Sequence, residues 1–176
     1  MPERVLISVA LISVAPLFLV IVYNDVRYRR IPNPYVLAVL ISGFGLNALF
    51  GGAAGALSSL AGLAAGFGLM FLLHIVGAMG AGDVKLFGAV GAVMGIHLVL
   101  PTFVVVVITG GLLALIFSLF SGTIRTTLWR VLSILIGLMP GAKFPRYEIP
   151  ADRRLTIPYG VAITVGSLMS FLYFRA

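Results

Sequence analysis

Long apolar stretches alternate with short polar or glycine-rich breaks along most of this chain. Residues 5–23 carry no charge and are interrupted only by Ser8, Ser13 and Pro16. As a helix these 19 positions would extend about 28 Å, close to the thickness of a bilayer's hydrocarbon core. Polar residues resume at Asn24, and 24–33 reads as a basic connector containing Asp25, Arg27, Arg29 and Arg30. Pro32 and Pro34 bracket Asn33, which stops a helix there and suits the first turn of the next one. Further apolar runs predict helices over 34–50, 57–79, 84–100, 102–120 and 156–174. The breaks between them are a glycine–alanine turn at 51–56, the run Gly80-Ala81-Gly82-Asp83, Pro101, and a long polar region at 121–155.

The pattern predicts an all-α polytopic membrane protein, a bundle of six transmembrane helices forming one domain over 1–176. Within the polar region Ile124, Leu128, Val131, Leu132, Leu135 and Met139 recur at helical spacing, with Arg125 and Arg130 off that stripe. The uncharged part is too short to span, so 124–139 reads as an amphipathic helix lying in the membrane interface, followed by a basic loop. Composition agrees: 61% of residues are hydrophobic and 10% charged, against about 25% charged in soluble domains. The first apolar run is long for a signal peptide and leads into Asp25 and arginines, not a small-residue cleavage site. With no cysteine, disulfides, a thiolate nucleophile and Cys-ligated zinc are excluded.

Net charge is +7, and its placement follows topology. Six crossings put connectors 1–2, 3–4 and 5–6 on one face. That face receives Arg27, Arg29, Arg30, Lys85, Arg125, Arg130, Lys143, Arg146, Arg153 and Arg154, ten of the twelve Lys and Arg residues. The positive-inside rule makes this face cytoplasmic in a multi-pass protein of the cell's inner membrane. Basic loops then need no nucleic-acid partner; the expected partner of the surface is the lipid bilayer.

Only five acidic residues are present: Glu3, Asp25, Asp83, Glu148 and Asp152. An acid set against a hydrophobic segment is costly and marks a functional site by default. Asp25 and Asp83 fall at helix ends on the same face. Two carboxylates close together in a partly dry site cannot both ionise comfortably, so the pair holds one proton. The ionised member can take a proton from water while the protonated one polarises a peptide carbonyl, which is aspartic-protease chemistry. Gly80 and Gly82 would let backbone approach. The plainer reading pairs Asp25 with Arg27 or Arg29, and Asp83 with Lys85, as surface ion pairs.

Asp25, then Arg29-Arg30-Ile31-Pro32-Asn33, then Gly80-Ala81-Gly82-Asp83-Val84-Lys85-Leu86, resemble the type IV prepilin peptidase family, intramembrane aspartic proteases of the GxGD class. Ile157-Pro158-Tyr159-Gly160 and Gly166 resemble that family's last helix. The resemblance implies cleavage of the short basic leader of prepilins at the cytoplasmic face, after a glycine that precedes the pilin's hydrophobic helix. Asp25 and Asp83 would be the catalytic pair, with Gly80, Gly82, Lys85, Pro32 and Asn33 in support, without metal or other cofactor. Prepilins would be the substrates, with pilus assembly machinery as a further partner. Longer members carry a cysteine-containing insertion and also methylate the new N-terminus. Here about ten residues join helices one and two, so the chain resembles the short, peptidase-only members serving Flp/Tad-type pili.

Other residues have simpler roles. Lys85 tunes the pair, meets substrate, or is a topology charge; Asn33 caps helix two. His74 is expected to pack with one hydrogen bond, and His97, Trp129 and the tyrosines to lie in interfacial belts. The glycine- and alanine-rich helix carrying Gly62 and Gly66 is expected to receive the pilin helix. An intramembrane metalloprotease would need H-E-x-x-H, which is absent. A Ser–His dyad from Ser58 or Ser59 to His74 would have to bridge more than about 20 Å along one helix. The competing classes are an archaeal-type preflagellin peptidase with the same chemistry, a proton- or cation-coupled transporter, and an inactive assembly scaffold. A transporter would place its acids near the bilayer midplane, in broken helices.

Overall fold

The computed structural model describes residues 2–75, 77–122, 124–125, 128–129, 132 and 158–175. All regular structure among them is helical: α1 Pro2–Tyr28, α2 Asn33–Ile75, α3 Ala81–Met94, α4 Ile96–Phe120 and α5 Tyr159–Arg175. Most of the expected interfacial helix at 124–139, the basic loop after it and residues 156–157 lie outside the described residues.

Helix α1 runs five residues past its expected end at 23, because the polar residues do not interrupt it. The Asn24 side chain donates back to the Val20 carbonyl at 2.8 Å, satisfying its amide within the helix. Asp25 therefore sits on the last turn of α1, not in a connector. Helix α1 has ended at Tyr28 before the chain reaches Pro32, whose carbonyl accepts the N–H groups of Tyr35 and Val36 at the start of α2. Asn33 is the first residue of α2; its side chain is exposed and makes no hydrogen bond among the described residues, so it does not cap.

The 43 residues of α2 fold back on themselves at Gly52, inside the expected turn. Gly52 has φ 58° and ψ −144°, a conformation open essentially to glycine alone. Beyond the bend, Gly55 lies against the Asn47 carbonyl. Both arms then clasp α3. Gly43 on the first arm abuts Val93; Gly62 and Gly66 on the second abut Gly91, Gly95 and the Phe87 carbonyl. Helix α3 is buried almost all round, through Val84, Leu86, Phe87, Ala89, Val90 and Val93, as a helix apolar on every side should be. Gly62 and Gly66 thus serve internal packing, which overturns the expectation that they form a docking face for a pilin helix.

The break between α3 and α4 falls at Gly95 (φ 74°, ψ 173°), not at Pro101, which lies inside α4. Polar side chains from α2 satisfy the helix ends at this break. Asn47 Nδ2 donates to the carbonyls of Ala92 and Val93 at 2.9 and 3.1 Å, and Ser59 Oγ donates to Ala92 at 2.8 Å. Ser58 Oγ accepts the first N–H of α4, that of Ile96, at 3.2 Å. Helix α5 returns antiparallel to α4, with Gly110 beside Tyr159 and Ala162, Gly166 against Val106, and Thr102 hydrogen-bonded to Ser170 at 2.7 Å.

Three helical stretches among the described residues are long and apolar enough to cross a membrane: Leu11–Tyr28, Asn33–Ile75 and Ile96–Phe120. Tyr159–Phe174 is apolar but shorter, and the 14 residues of α3 make only about 21 Å. Large apolar side chains such as Ile12, Leu19, Leu49, Ile108 and Leu119 point outward. Together with the apolar interior this is the surface of a membrane protein, as the composition implied.

Candidate active site

The C-terminus of α1, both ends of α2 and the N-termini of α3 and α5 gather at one end of the bundle, with the Gly52 bend and Gly95 at the other. The two aspartates occupy the first end, each held in a different way.

Local structure holds Asp83. Helix α2 stops in a left-handed glycine, Gly77 (φ 75°), whose N–H donates to the His74 carbonyl at 2.9 Å while Ala78 N–H reaches Leu73 at 3.0 Å. This is the paired-bond ending that satisfies a helix's last carbonyls. His74 Nδ1 donates to the Met79 carbonyl at 2.8 Å; a carbonyl can only accept, so Nδ1 carries the proton. This is the single bond expected of His74. Gly80 follows in extended conformation (φ −78°, ψ 154°), and its N–H donates to Asp83 Oδ2 at 3.1 Å. Asp83 N–H donates back to the Gly80 carbonyl at 3.1 Å, so cap and carboxylate bracket each other across the first turn of α3.

Asp25 is held by distant parts of the chain. It is 7% exposed and faces the first turn of α5. A Cβ on Gly160 would stand 2.7 Å from Asp25 Oδ2 and 3.1 Å from Cγ, so only glycine leaves room for the carboxylate. The N–H groups of Gly160 and Val161 face it, and the Arg29 guanidinium is within electrostatic reach. Oδ2 itself is buried without a hydrogen-bond partner.

The two motifs touch through Ile31, whose side chain packs on Gly82, with a glycine Cβ position 3.5 Å from Ile31 Cβ. Burial pushes the Asp83 carboxyl up to about 7, against the pull of the Gly80 N–H, and the charge of Asp25 adds to the rise. Tyr159, its ring against Gly110, lies within electrostatic reach of Asp83. Neither aspartate forms an ion pair among the described residues. Lys85 is exposed on α3 and makes no such pair either, leaving its topological role as the simplest. Gly160 and Tyr159 are the site residues that sequence reasoning left out of the site. Their signal was the Pro158-Tyr159-Gly160 run at the start of the last helix. Among the described residues no cluster of His, Asp or Glu could hold a metal ion.

A helical membrane protein with two acids converging at one end of its bundle is the class defined so far. The comparisons narrow it: the model of the type IV leader peptidase family matches residues 12–142. The chain belongs to that family, and is thereby a peptidase. The match includes Asp25, Asp83 and the motifs around them, and ends before α5. No curated protein and no solved structure matches the chain significantly.

Proposed function

We propose that the protein is an intramembrane aspartic endopeptidase that removes the short basic leader of type IV, Flp-like prepilins at the cytoplasmic face of the cytoplasmic membrane. The observation that carries this is the placement of Asp25 and Asp83 at one end of the bundle, near enough for one charge to act on the other, with neither committed to an ion pair among the described residues. The two arms of α2 and the other four helices would make six crossings, the fourth starting after Asp83. The site then lies at the positively charged face, which a transporter's midplane site would not.

In this reading Asp83, whose carboxyl stays protonated to about neutral pH, donates its proton to the oxygen of the scissile carbonyl. Asp25 accepts a proton from water as the water oxygen attacks the carbonyl carbon, giving a neutral gem-diol. On collapse the C–N bond breaks. The leaving nitrogen takes the proton from Asp25, and a gem-diol hydroxyl returns one to Asp83. Atoms and charge balance without metal or cofactor. Gly80, Gly82 and Gly160 give the backbone clearance, Pro32 and Ile31 carry the connector that joins the two motifs, and the chain would act without methylating the product.

The test is leader cleavage of a prepilin in membranes or detergent, followed by gel shift and N-terminal mass. Asp25→Asn and Asp83→Asn should each abolish cleavage at equal insertion, and the wild-type product should carry no added methyl group. Cleavage that survives either substitution would remove the pair and return the transporter and scaffold readings.

A further inference from the structure

Arg29 is a second anomaly beside Asp25. It is the one non-glycine residue among those described with positive φ (52°), a left-handed conformation in which L side chains are strained. Its N–H donates to the Asp25 carbonyl at 3.0 Å, so it closes the last turn of α1 at a position usually given to glycine or asparagine. Its guanidinium is turned inward, where Nη1 is buried and finds no acceptor among the described residues. Arg27 and Arg30 on either side are exposed, as topology charges should be. A basic loop needs neither a strained backbone nor a buried, idle donor.

The neighbouring group sharpens the point. The guanidinium acts on the Asp25 carboxylate across space but forms no ion pair with it, and Asp25 Oδ2 is likewise buried without a partner. An acceptor-only oxygen and a donor-only nitrogen therefore belong to two groups within electrostatic reach of each other, both unused among the described residues. A peptide threaded past Asp25 offers backbone carbonyls there, and a permanently charged guanidinium is a strong donor to them.

We propose that Arg29 positions the substrate, its Nη1 donating a hydrogen bond to a backbone carbonyl of the extended segment that flanks the scissile bond. This rests on the peptidase reading above.

Glycine suits the observed φ, so Arg29→Gly removes the side chain while relieving the backbone. The experiment measures kcat/KM for Arg29→Gly and Arg29→Lys on a peptide spanning leader and early pilin helix, with and without added guanidinium chloride. Arg29→Gly should unfold no earlier than wild type yet lose at least about tenfold in kcat/KM, as for one hydrogen bond to a charged group. Guanidinium should restore part of that loss, and Arg29→Lys should fall between. The same dependence should hold for a peptide with Asp and Glu replaced by Asn and Gln. Wild-type kinetics in Arg29→Gly, a loss that guanidinium leaves untouched, or a dependence confined to the acidic peptide would each overturn the proposal. A wild type that does not cleave, or an Asp25→Asn variant that does, would instead overturn the peptidase reading itself.

Discussion

Gly160→Ala separates geometry from stability at this site. The new methyl would stand 2.7 Å from Asp25 Oδ2, 3.1 Å from Cγ and 3.3 Å from Cβ. An ordinary contact begins near 3.4 Å, so the carboxylate oxygen must retreat by about 0.7 Å. The obstructing atoms belong to a side chain that can swing, so the fold should absorb the change. Alanine is moreover the better helix former, by up to about 1 kcal/mol in a helix interior. Catalysis should not absorb it, since a misplacement of about 1 Å costs roughly 100-fold in a positioned reaction. We expect kcat to fall by about 10- to 100-fold, with an unfolding midpoint equal to or above that of wild type. The assay is single-turnover leader cleavage in detergent beside a thermal melt. Gly68→Ala is the matched control, because no atom lies within 4 Å of its added Cβ and activity should be unchanged. Cleavage by Gly160→Ala within about twofold of wild type would refute the placement of Asp25 at the reacting centre. Loss of activity together with a lowered melt would show that packing, not geometry, was disturbed.

Two further outcomes follow from the packing and from the protonation of Asp83. Gly62→Ala would drive a methyl into the Gly91 carbonyl and to 2.9 Å from Gly95 Cα, backbone that cannot swing away. It should destabilise by about 1–3 kcal/mol, read as a lowered melt. Because burial raises the Asp83 carboxyl to about 7, the folded state favours its neutral form. That stability is present below the unfolded carboxylate range near 4 and is lost as pH rises toward 7, so the permanently neutral Asp83→Asn should melt higher than wild type at pH 8 and alike at pH 4. Equal melts at both values would contradict the half-buried carboxyl held neutral.

What the sequence showed of this fold was its local part. Apolar runs marked the helices, Gly52 lies inside the predicted turn, and the Gly80–Asp83 motif carries its own cap. Pro101 drew the α3–α4 boundary away from Gly95, because a proline announces itself and one glycine among twenty-one does not. Asn24 and Asp25 looked like a helix end, yet a side-chain bond to Val20 lets the helix run on. The caps that Asn47, Ser58 and Ser59 supply to the α3–α4 break come from residues 33 to 46 positions away and leave no periodic trace. Gly62 and Gly66 were expected to receive a pilin helix and instead pack on α3, because small residues do not say whether their partner is inside the molecule or outside.

The same contrast divides the two aspartates and bears on what each can do. Asp83 is fixed by residues within one turn of it, through the bond from the Gly80 N–H. Asp25 is fixed by α5, more than a hundred residues later in the chain, and by Arg29 beside it. A carboxylate bracketed by its own helix cap and buried enough to stay protonated is suited to donating a proton. In the proposed mechanism the other role falls to Asp25, whose Oδ2 is buried and left unbonded among the described residues. On this argument the surroundings of the proposed pair are complete only where α5 packs on α1, with Gly160 against Asp25. Gly160 then bears on the proposed site as directly as the Gly80–Asp83 cap does.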